Sequence, residues 1–173
     1  MDPVTETPTK PIDYAALSAG YGALLGALVV AARETDADPV PPAELPMLGL
    51  ATFALAKVIS KEKVETWVRE PFLEERPDGE RRPKGRRLRY AIGELLSCSR
   101  CMGTWSALGI VGLRALRPRE ARILVPVLAA SALNDWMQSG FTKLCASANV
   151  SQNEAQAPPR EAGQERFSRD RTG

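Results

Sequence analysis

The sequence predicts an all-α, multi-pass helical membrane protein of four transmembrane or partly re-entrant helices, with an amphipathic interfacial helix after the second. Three observations point there. Polarity is segregated: residues 1–13, 33–44, 61–90 and 146–173 hold most of the charge, and the four apolar segments 14–32, 45–60, 101–116 and 123–137 hold almost none. The run from Tyr14 to Ala32 carries no charged residue at all. One inter-segment loop is densely basic and its neighbour acidic, the asymmetry that orients membrane helices.

The first segment, 14–32, spans about 28 Å as a helix, close to the hydrocarbon thickness of a bilayer. The preceding leader, 1–13, holds one lysine against three acids, the wrong charge for a signal peptide, so the helix is expected to remain uncleaved. Gly22 and Gly26 form a GxxxG face that suits helix packing, preferentially within the chain and otherwise between copies in a homo-oligomer. The second segment, 45–60, is shorter, and Lys57 can snorkel from its last turn. The third (101–116, with Arg114) and the fourth (123–137, with Pro126 and Asp135) are also short. Any of these last three can be a thin span, a re-entrant piece or a buried core helix.

The loop 61–90 contains Lys61, Lys63, Arg69, Arg76, Arg81, Arg82, Lys84, Arg86, Arg87 and Arg89, whereas 33–44 has Arg33 alone against Glu34, Asp36, Asp38 and Glu44. The positive-inside rule puts the basic loop, and with four spans both termini, in the cytoplasm of a cell (plasma) membrane protein. The arginine-rich turn from Arg114 to Arg122 runs against that rule, as a re-entrant hairpin of the last two segments would allow. Within the loop, Val64, Trp67, Val68 and Phe72 make a helical apolar stripe, lying on the membrane or on the protein's own bundle. Glu74 to Arg87 is expected to be a disordered linker, and residues 145–173 a disordered polar tail after a helical membrane domain over 14–144. Arg86, Arg87 and Arg89 suit anionic lipid headgroups. Nucleic acid is not expected, because the cations alternate with acids and lack stacking aromatics.

Chemistry is confined to one place. The chain has no histidine, which excludes Ser-His-Asp and Cys-His nucleophile systems. No phosphate-cradling glycine loop is present. Cys98 and Cys101 enclose two residues at the mouth of the third segment. If 89–113 is one helix, Glu94, Cys98, Cys101 and Trp105 share a face. Three readings stand: a redox pair with a thiolate favoured by a helix N-terminus and Arg100, a metal clasp for zinc completed by Glu94 and Cys145 or by a second copy, and packing without chemistry. Asp135 is an ionisable residue inside an apolar segment, near enough to its end to be interfacial.

The stretches "KEKVETWVREPF", "RLRYAIGELLSCSRCMGTWSAL" and "PREARILVPVLAASALNDWMQ" resemble the bacterial membrane proteins grouped as domain of unknown function 1360, over roughly Met47 to Gln138. The resemblance implies roles for Arg69, Pro71, Phe72, Gly93, Glu94, Cys98, Cys101, Gly103, Trp105 and Asp135. A proline common between the family's cysteines is replaced here by Ser99 and Arg100. That family has no assigned activity. The leading expectation is therefore a structural or interaction protein whose thiol pair stabilises the fold or binds a metal, with no catalytic residue assigned. The alternative is a membrane thiol-disulfide oxidoreductase. A transporter is disfavoured, since Asp135 alone offers an intramembrane charge.

Overall fold

A computed structural model describes residues 7–63, 66–75 and 81–156. The described chain is mostly helical, and it divides into two units, Met1–Leu133 and Asn134–Gly173. In order come α1 (Pro11–Glu34), a 3-10 turn (Pro42–Glu44), α2 (Leu45–Lys61), α3 (Thr66–Arg69), β1 (Leu73–Glu75), β2 (Arg81–Pro83), α4 (Leu88–Ser97), α5 (Ser99–Leu116) and α6 (Pro118–Gln156).

α1 begins where Pro11 takes the first helical position, which needs no N–H donor. Asp13 accepts the Lys10 backbone N–H at 2.8 Å. It also meets Arg87 Nε at 3.0 Å. The helix then presents Tyr14, Tyr21 and Leu28, spaced by seven residues, to the segment carrying α4 and α5. Tyr14 donates to Glu94, Tyr21 meets Trp105 edge-to-face with ring centroids 5.4 Å apart, and Leu28 abuts Gly112. A Cβ at Gly112 would stand 3.4 Å from both Leu28 methyls, at the edge of ordinary contact. Leu24, Leu25, Val29 and Val30 on the other side are exposed.

α2 and α5 run antiparallel. At one end, Leu48, Ala51 and Ile110 pack with Ala121 and Val125 from the first part of α6. At the other, Ala56 joins Leu73, Leu96 and Met102. The C-terminus of α2 needs partners for its last carbonyls, and two arginines of the basic loop supply them. Arg69 donates to Ile59 O and Glu62 O, both at 2.7 Å. Arg81 donates to Ser60 O at 2.8 Å and Lys61 O at 3.3 Å.

Several expectations change here. Among the four expected segments, α1 and α2 are long and apolar enough to cross a membrane; the fourth is an inner part of the much longer α6. Gly22 and Gly26 are exposed and would have nothing within 4 Å of an added Cβ, so the GxxxG face does not pack within the described chain. The chain uses the tyrosine stripe instead, because aromatic and leucine side chains bury more area per contact than glycine.

The amphipathic helix reduces to the single turn of α3, and Val64 lies outside the described residues. Trp67 of its stripe is 72% exposed while Arg69 is 2% exposed. Carbonyl capping outweighs the apolar stripe there. The expected disordered linker contains an antiparallel hairpin pairing Leu73 with Pro83 and Glu75 with Arg81, with 76–80 outside the described residues. The tail expected to be disordered from 145 is helical to Gln156. Its alanines and glutamines are good helix formers, so the helix continues without an apolar face to bury.

Candidate functional site: a thiol pair at a helix start

The stretch expected to form one helix is two. α4 ends at Ser97, whose hydroxyl turns back to Gly93 O at 2.6 Å. Cys98 takes an extended conformation, φ −94 and ψ 103. Its N–H closes α4 on Glu94 O at 3.1 Å and Leu95 O at 3.3 Å. Its carbonyl opens α5 by accepting the Met102 N–H at 2.9 Å. The Ser97 hydroxyl, which donates to the Gly93 and Glu94 carbonyls, competes locally for backbone partners and so favours the break. A single helical face for Glu94, Cys98, Cys101 and Trp105 is thereby replaced by a hinge with Cys98 at its vertex.

Cys98 is the N-cap of α5. Its Sγ accepts the Cys101 backbone N–H at 3.4 Å and lies 2.9 Å from Cys101 Sγ, which donates to it. Both thiols are free and half-buried. The Cys101 thiol holds Cys98 below the usual thiol range; partial burial opposes this, and the backbone N–H groups of Cys101 and Arg100 and the Arg100 charge reinforce it. The positive end of α5 acts in the same direction. The arrangement is asymmetric: Cys98 Sγ accepts, which favours its thiolate form, and Cys101 S–H donates to it.

Glu94 is committed elsewhere, to the Tyr14 hydroxyl, which also meets Thr9 Oγ1 at 3.1 Å. Among the described residues, no three of His, Cys, Asp and Glu gather into a metal-sized group. Two thiolates supply half of a zinc's usual four ligands. Cys145 is exposed on the part of α6 that belongs to the second unit. Asp135 lies in that unit too.

The basic residues singled out for lipid are partly engaged inside the protein. Arg87 pairs with Asp13, and its N–H reaches Pro8 O at 2.9 Å. Arg89 forks onto Pro71 O at 3.0 and 2.6 Å. Arg86 is exposed.

Residues 47–141 match the family described as "Protein of unknown function (DUF1360)". The chain belongs to this family. A relative, "Sporulation protein YjcA" of Bacillus subtilis (strain 168), is 35% identical over 95 residues, covering 50% of this chain and 80% of the relative. No solved structure matches. The residues on which the resemblance rests acquire physical content from the geometry. Arg69 caps α2, Pro71 and Phe72 offer carbonyls to Arg89 and to the Lys84 N–H, and Trp105 meets Tyr21. Gly93 lets the hairpin lie on α4, since a Cβ there would stand 2.7 Å from Phe72 O. Gly103 has open space around it.

Sequence reasoning missed Tyr14 and Arg81. Tyr14 had a local signal in its heptad relation to Tyr21. Arg81 had none, because a charged residue in a polar loop reads as solvated.

Proposed function

We propose that this DUF1360 protein is embedded in the bacterial plasma membrane and uses Cys98 and Cys101 for thiol–disulfide exchange at the cytoplasmic surface. The observation that carries the redox reading is Cys98 Sγ at the N-cap of α5, 2.9 Å from Cys101 Sγ. The membrane reading is supported by α1, whose apolar window is unburied, and by α2. Because α5 runs along α2, it enters the bilayer with it, leaving the thiols at the surface beside the end of α2. The Lys and Arg residues of 61–90 favour the cytoplasm for that end, and with it the leader.

In the exchange, the Cys98 thiolate attacks a partner's disulfide, forming a mixed disulfide and releasing one partner thiolate. Cys101, losing its proton to solvent, attacks Cys98 Sγ, so the Cys98–Cys101 disulfide forms as the second partner thiolate leaves. A cellular dithiol returns the pair to the reduced state, becoming a disulfide itself. Cytoplasmic reducing conditions favour this direction, in which the protein is the reductant.

The test is a trapping experiment in inside-out vesicles. Cys101→Ser is expected to accumulate mixed disulfides through Cys98 that reductant releases, while Cys98→Ser accumulates none. Labelling with an impermeant maleimide is expected in inside-out vesicles and not in intact cells. The redox reading fails if wild-type protein forms no internal disulfide across a series of oxidised and reduced dithiol buffers. A second reading, structural, is favoured by one observation: the same Sγ caps α5, so loss of Cys98 also weakens the helix start. Labelling that requires prior chelation would instead support a zinc clasp built from two copies.

A further inference from the structure

At the end of the α2–α5 pair opposite the thiols, a cavity of about 400 Å³ opens between the start of α2, the end of α5 and the first turns of α6. That is within the size range of small-ligand sites. Its wall carries a fixed ion pair. Arg114 grips Glu44 through two nitrogens, Nε to Oε2 at 2.6 Å and Nη2 to Oε1 at 3.1 Å. The fork satisfies Glu44 and ties α5 to the residue before α2, so this part of the site is preorganised.

Two further charges line the same cavity, Asp38 and Arg122. Arg122 stands near enough for its charge to act on Glu44, and Asp38 near enough to act on Arg114. Neither is joined by a hydrogen bond or ion pair to a described residue. With Glu44 and Arg114 satisfying each other, the cavity keeps one anion and one cation that have no direct partner among the described residues and act on that pair only at longer range. The remaining wall includes Met47 and Val125, and is apolar.

A ligand that complements this wall has an anionic group for Arg122, a protonated amine for Asp38 and an apolar portion along Met47 and Val125. A simple anion would leave Asp38 facing it, and a simple cation would face Arg122. We propose that this cavity is a binding site for a zwitterionic amphiphile that carries a primary ammonium. Two sources share that chemistry, a phosphatidylethanolamine headgroup and a soluble apolar amino acid. The lipid source rests on the membrane reading above; the charge arrangement does not.

The experiment uses the full chain purified in a non-ionic detergent and read by native mass spectrometry. The probes are phosphatidylethanolamine, phosphatidylglycerol and, separately, phenylalanine, and carbonate extraction of the source membranes is run beside them. One zwitterion is expected to be retained about tenfold better than phosphatidylglycerol. Arg122→Gln and Asp38→Asn are each expected to cut that retention by about tenfold. Both residues are exposed and outside the core, so the variants should fold as wild type does.

Retention of phosphatidylethanolamine alone assigns the site to lipid, and retention of phenylalanine alone assigns it to a soluble zwitterion. Equal retention of the two phospholipids removes the ammonium contact and overturns the proposal. Unchanged retention in both variants overturns it by placing the ligand elsewhere, and so does retention of neither zwitterion. Release of the protein by carbonate overturns the membrane reading, and a phenylalanine complex would survive that result.

Discussion

Replacing Gly93 by alanine tests whether the bare backbone at this position is what permits the hairpin's approach to α4. The added Cβ would stand 2.7 Å from Phe72 O, 2.9 Å from Pro83 Cβ and 3.1 Å from Pro83 Cα. None of these atoms is the end of a flexible side chain. Phe72 O is also held by the Lys84 N–H at 2.7 Å, so the strand cannot retreat without stretching that bond. Overpacking of this kind costs about 1–3 kcal/mol. Alanine's better helix propensity returns up to about 1 kcal/mol. With backbone on one side and a proline ring on the other, the expected net loss is about 1–2 kcal/mol. For a chain of this size that lowers Tm by roughly 2–8 °C. The assay is thermal unfolding in detergent followed by far-UV circular dichroism, with Gly103→Ala as the control. Gly103 has nothing within 4 Å, so its variant should hold or raise Tm. A Gly93→Ala protein that matches or exceeds wild type while Gly103→Ala does the same would refute the close-approach argument.

Cys98→Ser should unfold at nearly the wild-type temperature, because serine is itself a good N-cap, whereas Cys98→Ala should lose about 1 kcal/mol. Equal stability of the two would show that the Sγ cap contributes nothing. The pH profile of iodoacetamide alkylation should place the Cys98 midpoint below the usual thiol value of about 8.5. Cys101→Ala, which removes the S–H donor that holds Cys98 down, should move that midpoint upward. Arg69→Met should cost about 2–4 kcal/mol in chemical denaturation, since a carbonyl of α2 and that of its C-cap Glu62 lose their partner. A loss under 1 kcal/mol would mean that water or a neighbour replaces the guanidinium without penalty. Tyr14→Phe deletes the hydroxyl that α1 donates to Glu94. It should increase cleavage between α1 and α2 in limited proteolysis while leaving α2 and α5 protected.

The sequence alone determined which stretches are helical and apolar. Tyr14–Ala32, Leu45–Ser60 and Cys101–Leu116 fall inside α1, α2 and α5, because hydropathy and uninterrupted helix formers act within a few turns. It also drew attention to Cys98 and Cys101, whose spacing is a local property. Only the tertiary structure decided what those residues do to one another. The break at Cys98 depends on a balance between two competing sets of short-range hydrogen bonds, which a continuous helical pattern conceals. The hairpin in the charged loop exists because Arg69 and Arg81 satisfy the carbonyls at the end of α2 and draw the loop onto the bundle, while Gly93 leaves room for it. Asp38 and Arg122 are far apart in the chain, and they share a cavity only because α2, α5 and the start of α6 pack together. Local propensity is encoded in neighbours along the chain, whereas charge placement and capping across elements follow from which helix ends the packing brings together.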